Sequence, residues 1–224
     1  MVIGGHPGVL CFVQHLAPPG ATYARSTFLA EWRMYCLYRF GYTVFPGPPA
    51  VDPAVSAQWF VTGDAAVAGG PGRFSHAPRG REVSEWLAHV MWGSVRESGL
   101  LQMALGEEMA LLPRNIYALR DTPEAGAQKP HVDWPSHKVE KYRNNVTHTP
   151  LSSMWACSAP FRFQVGEYGD QPQHMITIRP GEMLVFRGDL WHGGGGHLTT
   201  AFRVHGYLAR PCDRRPGYIY TRRE

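Results

Sequence analysis

Two histidines and an aspartate are the residues of this sequence best suited to hold a metal ion. His131 and Asp133 are separated by one residue, so on a β-strand both side chains point to the same side. His192 follows at the end of the segment 188–192, on a different strand or turn. Two neutral imidazoles and one carboxylate form a facial triad that suits Fe(II) and leaves three coordination positions open. The sequence therefore predicts an iron site with room for further ligands.

Arg203 is the candidate anchor for an anionic co-substrate. One carboxylate only partly neutralises Fe(II), so the metal is expected to take an anionic bidentate ligand and still bind O2. Arg203 lies eleven residues after His192 on the next candidate strand. A guanidinium binds a carboxylate through two parallel hydrogen bonds and keeps its charge. We therefore expect Arg203 to hold the end of the co-substrate that is remote from the metal.

These residues together resemble the Fe(II)- and 2-oxoglutarate-dependent dioxygenases. The resemblance rests on His131-x-Asp133, on the segment 179–192 that ends in His192, and on Arg203. It implies that His131, Asp133 and His192 bind Fe(II) and are catalytic, and that Arg203 binds the distal carboxylate of 2-oxoglutarate. The implied reaction uses O2 and releases succinate and CO2. The segment 39–46 is similar to the opening of the phytanoyl-CoA-hydroxylase-like branch.

The resemblance extends to further residues near the predicted site. Asn115 and Tyr117 lie on the strand before His131, where many members place polar groups that help to bind the co-substrate. His205 stands where members usually have Ser or Thr, two residues after the arginine. A carboxylate at Asp133 implies hydroxylation or oxidative demethylation, because related halogenases lack a carboxylate there.

Neighbours of the triad are candidates for a substrate pocket. Trp134 and Trp191 adjoin two of the predicted metal ligands, and His205 shares the strand face of Arg203. Packing in the core is the alternative for all three residues. His197 is a rival to His192, but only His192 has the family spacing to Arg203. The glycine run 193–196 is expected to be a flexible turn or plain loop.

The elements that must position these residues change in character along the chain. Hydrophobic periodicity and capping residues predict helices over 26–40 and 82–97, a short helix after Pro53 and a further helical piece over 104–112. Short β-type segments then alternate with turns. Besides the strand 42–45, the candidate strands are 114–119, 129–133, 151–156, 161–165, 175–178, 183–186 and 201–208.

These strands are too short and too closely spaced for βαβ units. We predict a mainly β fold with flanking helices, in which N-terminal helices pack on a double-stranded β-helix, the jelly-roll or cupin-like core. The predicted organisation is one dioxygenase domain over 1–224. It comprises a mainly helical part (1–112), the jelly-roll core (113–210) and a basic tail (211–224).

Composition restricts the classes of protein that remain. With 44% hydrophobic residues among 224, the chain can bury a substantial core, which excludes wholesale disorder. No apolar run approaches the roughly 20 residues that span a bilayer, so no membrane partner is expected. Four dispersed cysteines and the lack of a basic segment before the apolar stretch 8–13 favour an intracellular, cytoplasmic protein.

A small molecule is the expected substrate, since the loops 62–81 and 134–150 are long enough to cover a compact pocket. The net charge of +4 and the arginine-rich end leave a nucleic-acid base oxygenase or demethylase as an alternative. A non-catalytic jelly-roll binding module is the alternative from a different class. The sequence leaves the oligomeric state open.

Overall fold

The computed structural model describes residues 25–59, 72–100, 109–134, 139, 149–166, 172–209 and 220–221. Within these ranges, helices α1 (Arg25–Arg39), α2 (Pro53–Ala57) and α3 (Arg81–Glu97) lie in the first half of the chain. None of the described helices is long and apolar enough to cross a membrane. The helix pieces predicted near 26–40, 82–97 and after Pro53 are confirmed.

The strands are β1 (Tyr42–Pro46), β2 (Arg73–His76), β3 (Ala110–Asp121), β4 (His131–Val132), β5 (Leu151–Ala156), β6 (Phe161–Val165), β7 (His174–Ile178), β8 (Glu182–Arg187), β9 (His192–Gly194), β10 (Ala201–Ala209) and β11 (Tyr220–Thr221). They form a six-stranded sheet in the order β1-β8-β5-β10-β3-β2 and a five-stranded sheet in the order β11-β4-β9-β6-β7. Every pair is antiparallel. The predicted mainly β fold with flanking helices, and its jelly-roll core, is confirmed.

Strand alternation divides the interior into two hydrophobic clusters. On β8, Met183 and Val185 pack with the helices, whereas Leu184 and Phe186 pack against the smaller sheet. Successive side chains of a strand point to opposite faces, so the larger sheet is buried on both sides. On β10 the same alternation turns Val204 toward the helices and Arg203 toward the space between the sheets.

Helix α3 packs on β3 through one stripe of apolar side chains, namely Leu87, Met91 and Val95, all fully buried. These positions are four residues apart and share one face of the helix. Trp86 lies one residue off this stripe and is 46% exposed. Tyr35 of α1 stacks on Trp32 and is 36% exposed.

Three segments differ from the sequence-based prediction. The helix predicted over 104–112 is wrong for its last residues, because residues 110 and 111 belong to β3 and pair with Ala209 and Leu208 of β10. Residues 101–108 lie outside the described residues. Strand β2 arises in a glycine-rich stretch without clear periodicity. Strand β9 includes Gly193 and Gly194, which were expected to belong to a turn or loop.

Glycine is required at the end of β9 by close packing. A Cβ on Gly194 would lie 2.9 Å from Nη2 of Arg73, and a Cβ on Gly193 would lie 2.8 Å from the carbonyl oxygen of Gln128. Both distances are shorter than real Cβ contacts, so a larger residue would push its neighbour away. The glycines therefore let β9 approach Arg73 and the segment around Gln128.

Candidate metal centre

The three predicted metal ligands meet at one point in the smaller sheet. His131 begins β4 and faces His192, the first residue of β9, as its direct partner in the antiparallel ladder. Asp133 follows β4 by one residue and lies on the same side as His131. One nitrogen from each histidine and one carboxylate oxygen of Asp133 lie within 4.8 Å of one another. All three side chains are buried.

Hydrogen bonds to the backbone fix the orientation of both imidazoles. Nδ1 of His131 lies 3.1 Å from the carbonyl oxygen of Lys129, and Nδ1 of His192 lies 2.9 Å from that of Leu190. A carbonyl only accepts, so Nδ1 carries the hydrogen in each ring. The Nε2 lone pair is then free to bind a metal ion, the usual arrangement in histidine metal sites.

Burial keeps the two imidazoles neutral. It lowers the pKa of His131, and it lowers the pKa of His192 to about 3. Burial alone would raise the pKa of Asp133, but the nearby His192, His205 and His131 hold it well below its usual range. The site therefore offers two neutral nitrogens and one anionic oxygen near neutral pH, which is the donor set of a facial Fe(II) triad. These residues fit the metal that the sequence predicts.

The Asp133 carboxylate is held by residues on the larger sheet. Oδ1 lies 3.6 Å from Nε2 of His192, on the side of the proposed metal position. Oδ2 accepts a hydrogen bond from the hydroxyl of Ser152 and lies 3.4 Å from Nε2 of His205. Sequence reasoning missed Ser152, because a serine in a fully buried strand gives no sign of its partner.

A cavity of about 110 Å³ opens beside the triad, between the two sheets. Besides His131, Asp133 and His192, its polar lining includes Arg73, Tyr117, Gln128, Arg203 and His205. Apolar side chains of Leu119, Met154 and Phe163 complete much of the wall. The predicted Arg203, Tyr117 and His205 thus share one cavity with the predicted metal ligands.

Arg203 is buried in the cavity wall and forms an ion pair. Its Nη2 lies 2.8 Å from Oδ2 of Asp121, and its guanidinium carbon lies 5.2 Å from the centre of the Phe161 ring. Its Nε and Nη1 make no hydrogen bond within the part of the chain that the structure describes. The side chain therefore retains donors for a further acceptor.

Sequence reasoning missed Asp121 and Arg73, which complete this charged group. Nε of Arg73 lies 2.7 Å from Oδ1 of Asp121, and Nε2 of His197 lies 3.0 Å from Oδ2. Burial alone would raise the pKa of Asp121, but Arg203, His197 and Arg73 together hold it well below its usual range. His197, the rival to His192 as a ligand, thus contacts Asp121. Arg73 and Asp121 are 48 positions apart in the sequence, and only the pairing of β2 with β3 places them opposite each other.

The remaining predicted site residues lie outside the cavity lining. Asn115 donates to the backbone carbonyl of Tyr207 at 3.5 Å, where the ladder between β3 and β10 is irregular. Trp134 is buried with its ring centre 6.4 Å from that of Tyr207. Trp191 directly precedes β9, and its carbonyl accepts a hydrogen bond from the backbone N–H of Gly166.

Comparisons with known proteins place this geometry in context. No family model and no curated protein matches the sequence. Among solved structures, the chain is similar to HygX from Streptomyces hygroscopicus, crystallised with nickel, 2-oxoglutarate and hygromycin B. The identity is 14% and the TM-score 0.58, over 86% of this chain and 97% of HygX. The chain therefore shares its double-stranded β-helix fold with HygX.

Two further structures share this fold. A prolyl hydroxylase from Trichoplax adhaerens, solved with a hypoxia inducible factor peptide, is 10% identical with a TM-score of 0.52, over 83% of this chain and 91% of that one. SnoN, a non-haem α-ketoglutarate-dependent epimerase of nogalamycin biosynthesis, is 16% identical with a TM-score of 0.54, over 84% of both chains. The similarity shows the predicted fold, while the dioxygenase superfamily and its phytanoyl-CoA-hydroxylase-like branch stay predictions.

Proposed function

We propose that the protein is an Fe(II)- and 2-oxoglutarate-dependent dioxygenase that oxidises a C–H bond of a small molecule. One observation carries the proposal: the His131–Asp133–His192 cluster and the buried Arg203 line the same cavity. A structural metal site has no use for a second cation in its cavity. A co-substrate with a chelating end and a remote carboxylate requires both.

His131, Asp133 and His192 would hold Fe(II), and Arg203 would hold the distal carboxylate of 2-oxoglutarate. Fe(II) held there would supply activation of O2, coupled to decarboxylation of the co-substrate to succinate and CO2. The residues of the chain position the reactants. The backbone carbonyls of Lys129 and Leu190 keep the imidazoles aimed at the metal, and the hydroxyl of Ser152 orients the carboxylate.

The formal charges of the site support a dianionic co-substrate. Asp133 and Asp121 carry two negative charges that cancel the positive charges of Arg203 and Arg73. With both metal-binding imidazoles neutral, a divalent metal ion adds two positive charges. A 2-oxoglutarate dianion neutralises them, which favours its binding in a partly dry cavity where unbalanced charge is costly.

A small molecule is the substrate class that the site supports best. HygX was solved with hygromycin B and SnoN belongs to nogalamycin biosynthesis, and both act as precedents for small ligands on this fold. The cavity is enclosed by the two sheets and has apolar walls of Leu119, Met154 and Phe163. Oxidation would yield a hydroxylated or demethylated product.

The test is formation of succinate by the purified protein with Fe(II), 2-oxoglutarate and O2. The slow rate of succinate formation without substrate is measured first. Panels of small molecules and of methylated oligonucleotides are then screened for compounds that increase this rate. Asp133→Ala is expected to abolish succinate formation. His89→Ala, on the exposed face of α3, is the matched control and should leave it unchanged. Lack of both succinate formation and metal-dependent 2-oxoglutarate binding would favour a binding module.

A further inference from the structure

Asp121 holds two buried guanidinium groups side by side at the cavity. One carboxylate oxygen pairs with Nε of Arg73 at 2.7 Å, and the other pairs with Nη2 of Arg203 at 2.8 Å. Both arginines line the cavity, and they are only 4% and 3% exposed. We call Arg73 and Arg203 the two-arginine site.

The two-arginine site has buried donors left over. Nε and Nη1 of Arg203, and Nη1 of Arg73, make no hydrogen bond within the described residues. A buried N–H group without an acceptor lowers stability, so native structures rarely leave several together. Three unsatisfied donors from two side chains therefore indicate an acceptor that binds in the cavity.

The charge of the site indicates that this acceptor is an anion. Asp121 neutralises one guanidinium, so one positive charge remains in a buried place. Burial lowers the pKa of Arg203; the charge of Asp121 acts against this shift, and the charge of Arg73 acts with it. A carboxylate placed between the two guanidiniums would supply both the missing charge and the missing acceptors.

The guanidinium of Arg73 is held in place by hydrogen bonds from Nε and Nη2, and only its Nη1 lacks a partner among the described residues. Its Nη2 donates to the carbonyl oxygens of Gly126 and Gly195, each at 3.3 Å. Gly194 packs against the same guanidinium so closely that a Cβ would lie 2.9 Å from Nη2. The group is thus held in place before a ligand arrives, which reduces the entropy lost on binding.

We propose that Arg73 is a second ligand for the distal carboxylate of the 2-oxoacid co-substrate, acting together with Arg203. This inference rests on the proposed function and adds a specificity-determining residue to it. Two guanidiniums on one carboxylate select a dicarboxylic 2-oxoacid against a monocarboxylic one. Removal of Arg73 should therefore weaken that selection more than it weakens binding at the metal.

The test compares two 2-oxoacids of equal chain length, 2-oxoglutarate and 2-oxopentanoate, which lacks the distal carboxylate. Their dissociation constants are measured by calorimetry on the Ni²⁺-loaded protein, which avoids turnover. Arg73→Gln should weaken 2-oxoglutarate binding about 10- to 100-fold, the loss typical of one charged hydrogen bond. Binding of 2-oxopentanoate should change by less than about 2-fold.

Arg73→Lys keeps the charge and serves as the second variant, because Arg73→Gln also removes contacts within the fold. It should recover part of the affinity for 2-oxoglutarate, since an ammonium cannot reproduce the planar guanidinium contact. Arg120→Gln is the matched control for net charge. Arg120 lies next to Asp121 on β3, covers the Phe74 ring and is not part of the cavity lining. It should leave both affinities unchanged.

Each outcome bears on a different statement. Equal weakening of both acids by the Arg73 variants would show that Arg73 only supports the fold, and unchanged affinities would exclude it as a ligand; either result overturns this inference alone. Failure of the wild type to bind 2-oxoglutarate in the presence of the metal overturns the proposed function, and this inference with it.

Discussion

His131 and His192 stand directly opposite each other across β4 and β9, with ring centres 4.4 Å apart. The two strands are short, and they meet in register at this pair of residues. Because β9 also pairs with β6, where Val165 faces His192, the position of this histidine is fixed from both sides. The geometry of the predicted metal centre thus depends on the ladder of the smaller sheet, and the substitutions below test that centre.

Substitution of His192 should abolish metal binding, whereas substitution of His197 should not. His192→Ala removes a nitrogen of the predicted metal site, and we expect Fe(II) affinity to fall by orders of magnitude. His197 contacts Asp121 and lies at the two-arginine site, so His197→Ala should retain metal affinity within about 10-fold. Titration of each variant with Ni²⁺ or Fe(II) measures both. The reverse pattern would identify His197 as the ligand.

Removal of Arg203 should affect the co-substrate and spare the metal. Loss of one partner of a buried charged pair costs about 2–5 kcal/mol, which corresponds to roughly 30-fold to several-thousand-fold weaker binding. Arg203→Ala should weaken 2-oxoglutarate binding by that factor, and Arg203→Lys should recover only part of it. The absorption band of the metal–2-oxoglutarate complex follows the titration. Equal affinities in all three proteins would exclude Arg203 as the anchor.

Ser152 should support the metal site through Asp133. Its hydroxyl donates to Oδ2 of Asp133, while Oδ1 is the oxygen near His192. Ser152→Ala removes this hydrogen bond, so the carboxylate of Asp133 is no longer held in one orientation. Loss of such a partner typically lowers metal affinity about 10- to 100-fold. Ser153→Ala is the control, because Ser153 is equally buried but donates to the carbonyl of Gly206. If both variants bind metal like the wild type, Ser152 has no part in positioning Asp133.

Neutralisation of Asp121 should destabilise the protein. The Asp121→Asn change leaves two buried guanidiniums without a counter-charge, and breaking a buried ion pair typically costs about 3–5 kcal/mol. Urea unfolding measures the loss. If an anion fills the two-arginine site, a saturating concentration of metal and 2-oxoglutarate should restore part of the stability. A variant as stable as the wild type would mean that Asp121 is not needed to balance these charges.

The metal-free protein should lose stability as the pH falls below about 6.5. Burial holds the pKa of His192 at about 3 in the folded state, below the ordinary value of about 6.5 in the unfolded chain. The unfolded state therefore binds the proton first, and the free energy of unfolding decreases by up to about 1.4 kcal/mol per pH unit toward the folded pKa. Urea unfolding of the chelator-treated protein at pH 7, 6 and 5 measures the slope. His192→Gln should reduce it, and an unchanged slope would assign it to other groups.

Sequence patterns predicted the elements whose hydrophobic residues repeat clearly. The strands 151–156 and 161–165 were predicted with their observed ends, and the metal cluster followed from His131 and Asp133 on alternate positions. Strand β2 was missed because four residues with one aromatic give no periodic signal. Arg73 and Asp121 were missed for a related reason. Their ion pair forms only because β2 pairs with β3, and local sequence patterns do not reveal which strands pair.

The first half of the chain supplies both edges of the larger sheet, with β1 at one side and β2 at the other. A fragment that begins at residue 110 would therefore expose β8 and β3 as new edges with unpaired backbone groups. It would also lack Arg73, and so would leave Asp121 with one guanidinium. The strands that carry the predicted metal ligands are thus expected to depend on the N-terminal segment: residues 110–224 expressed alone should aggregate, and co-expression of residues 1–109 should rescue them.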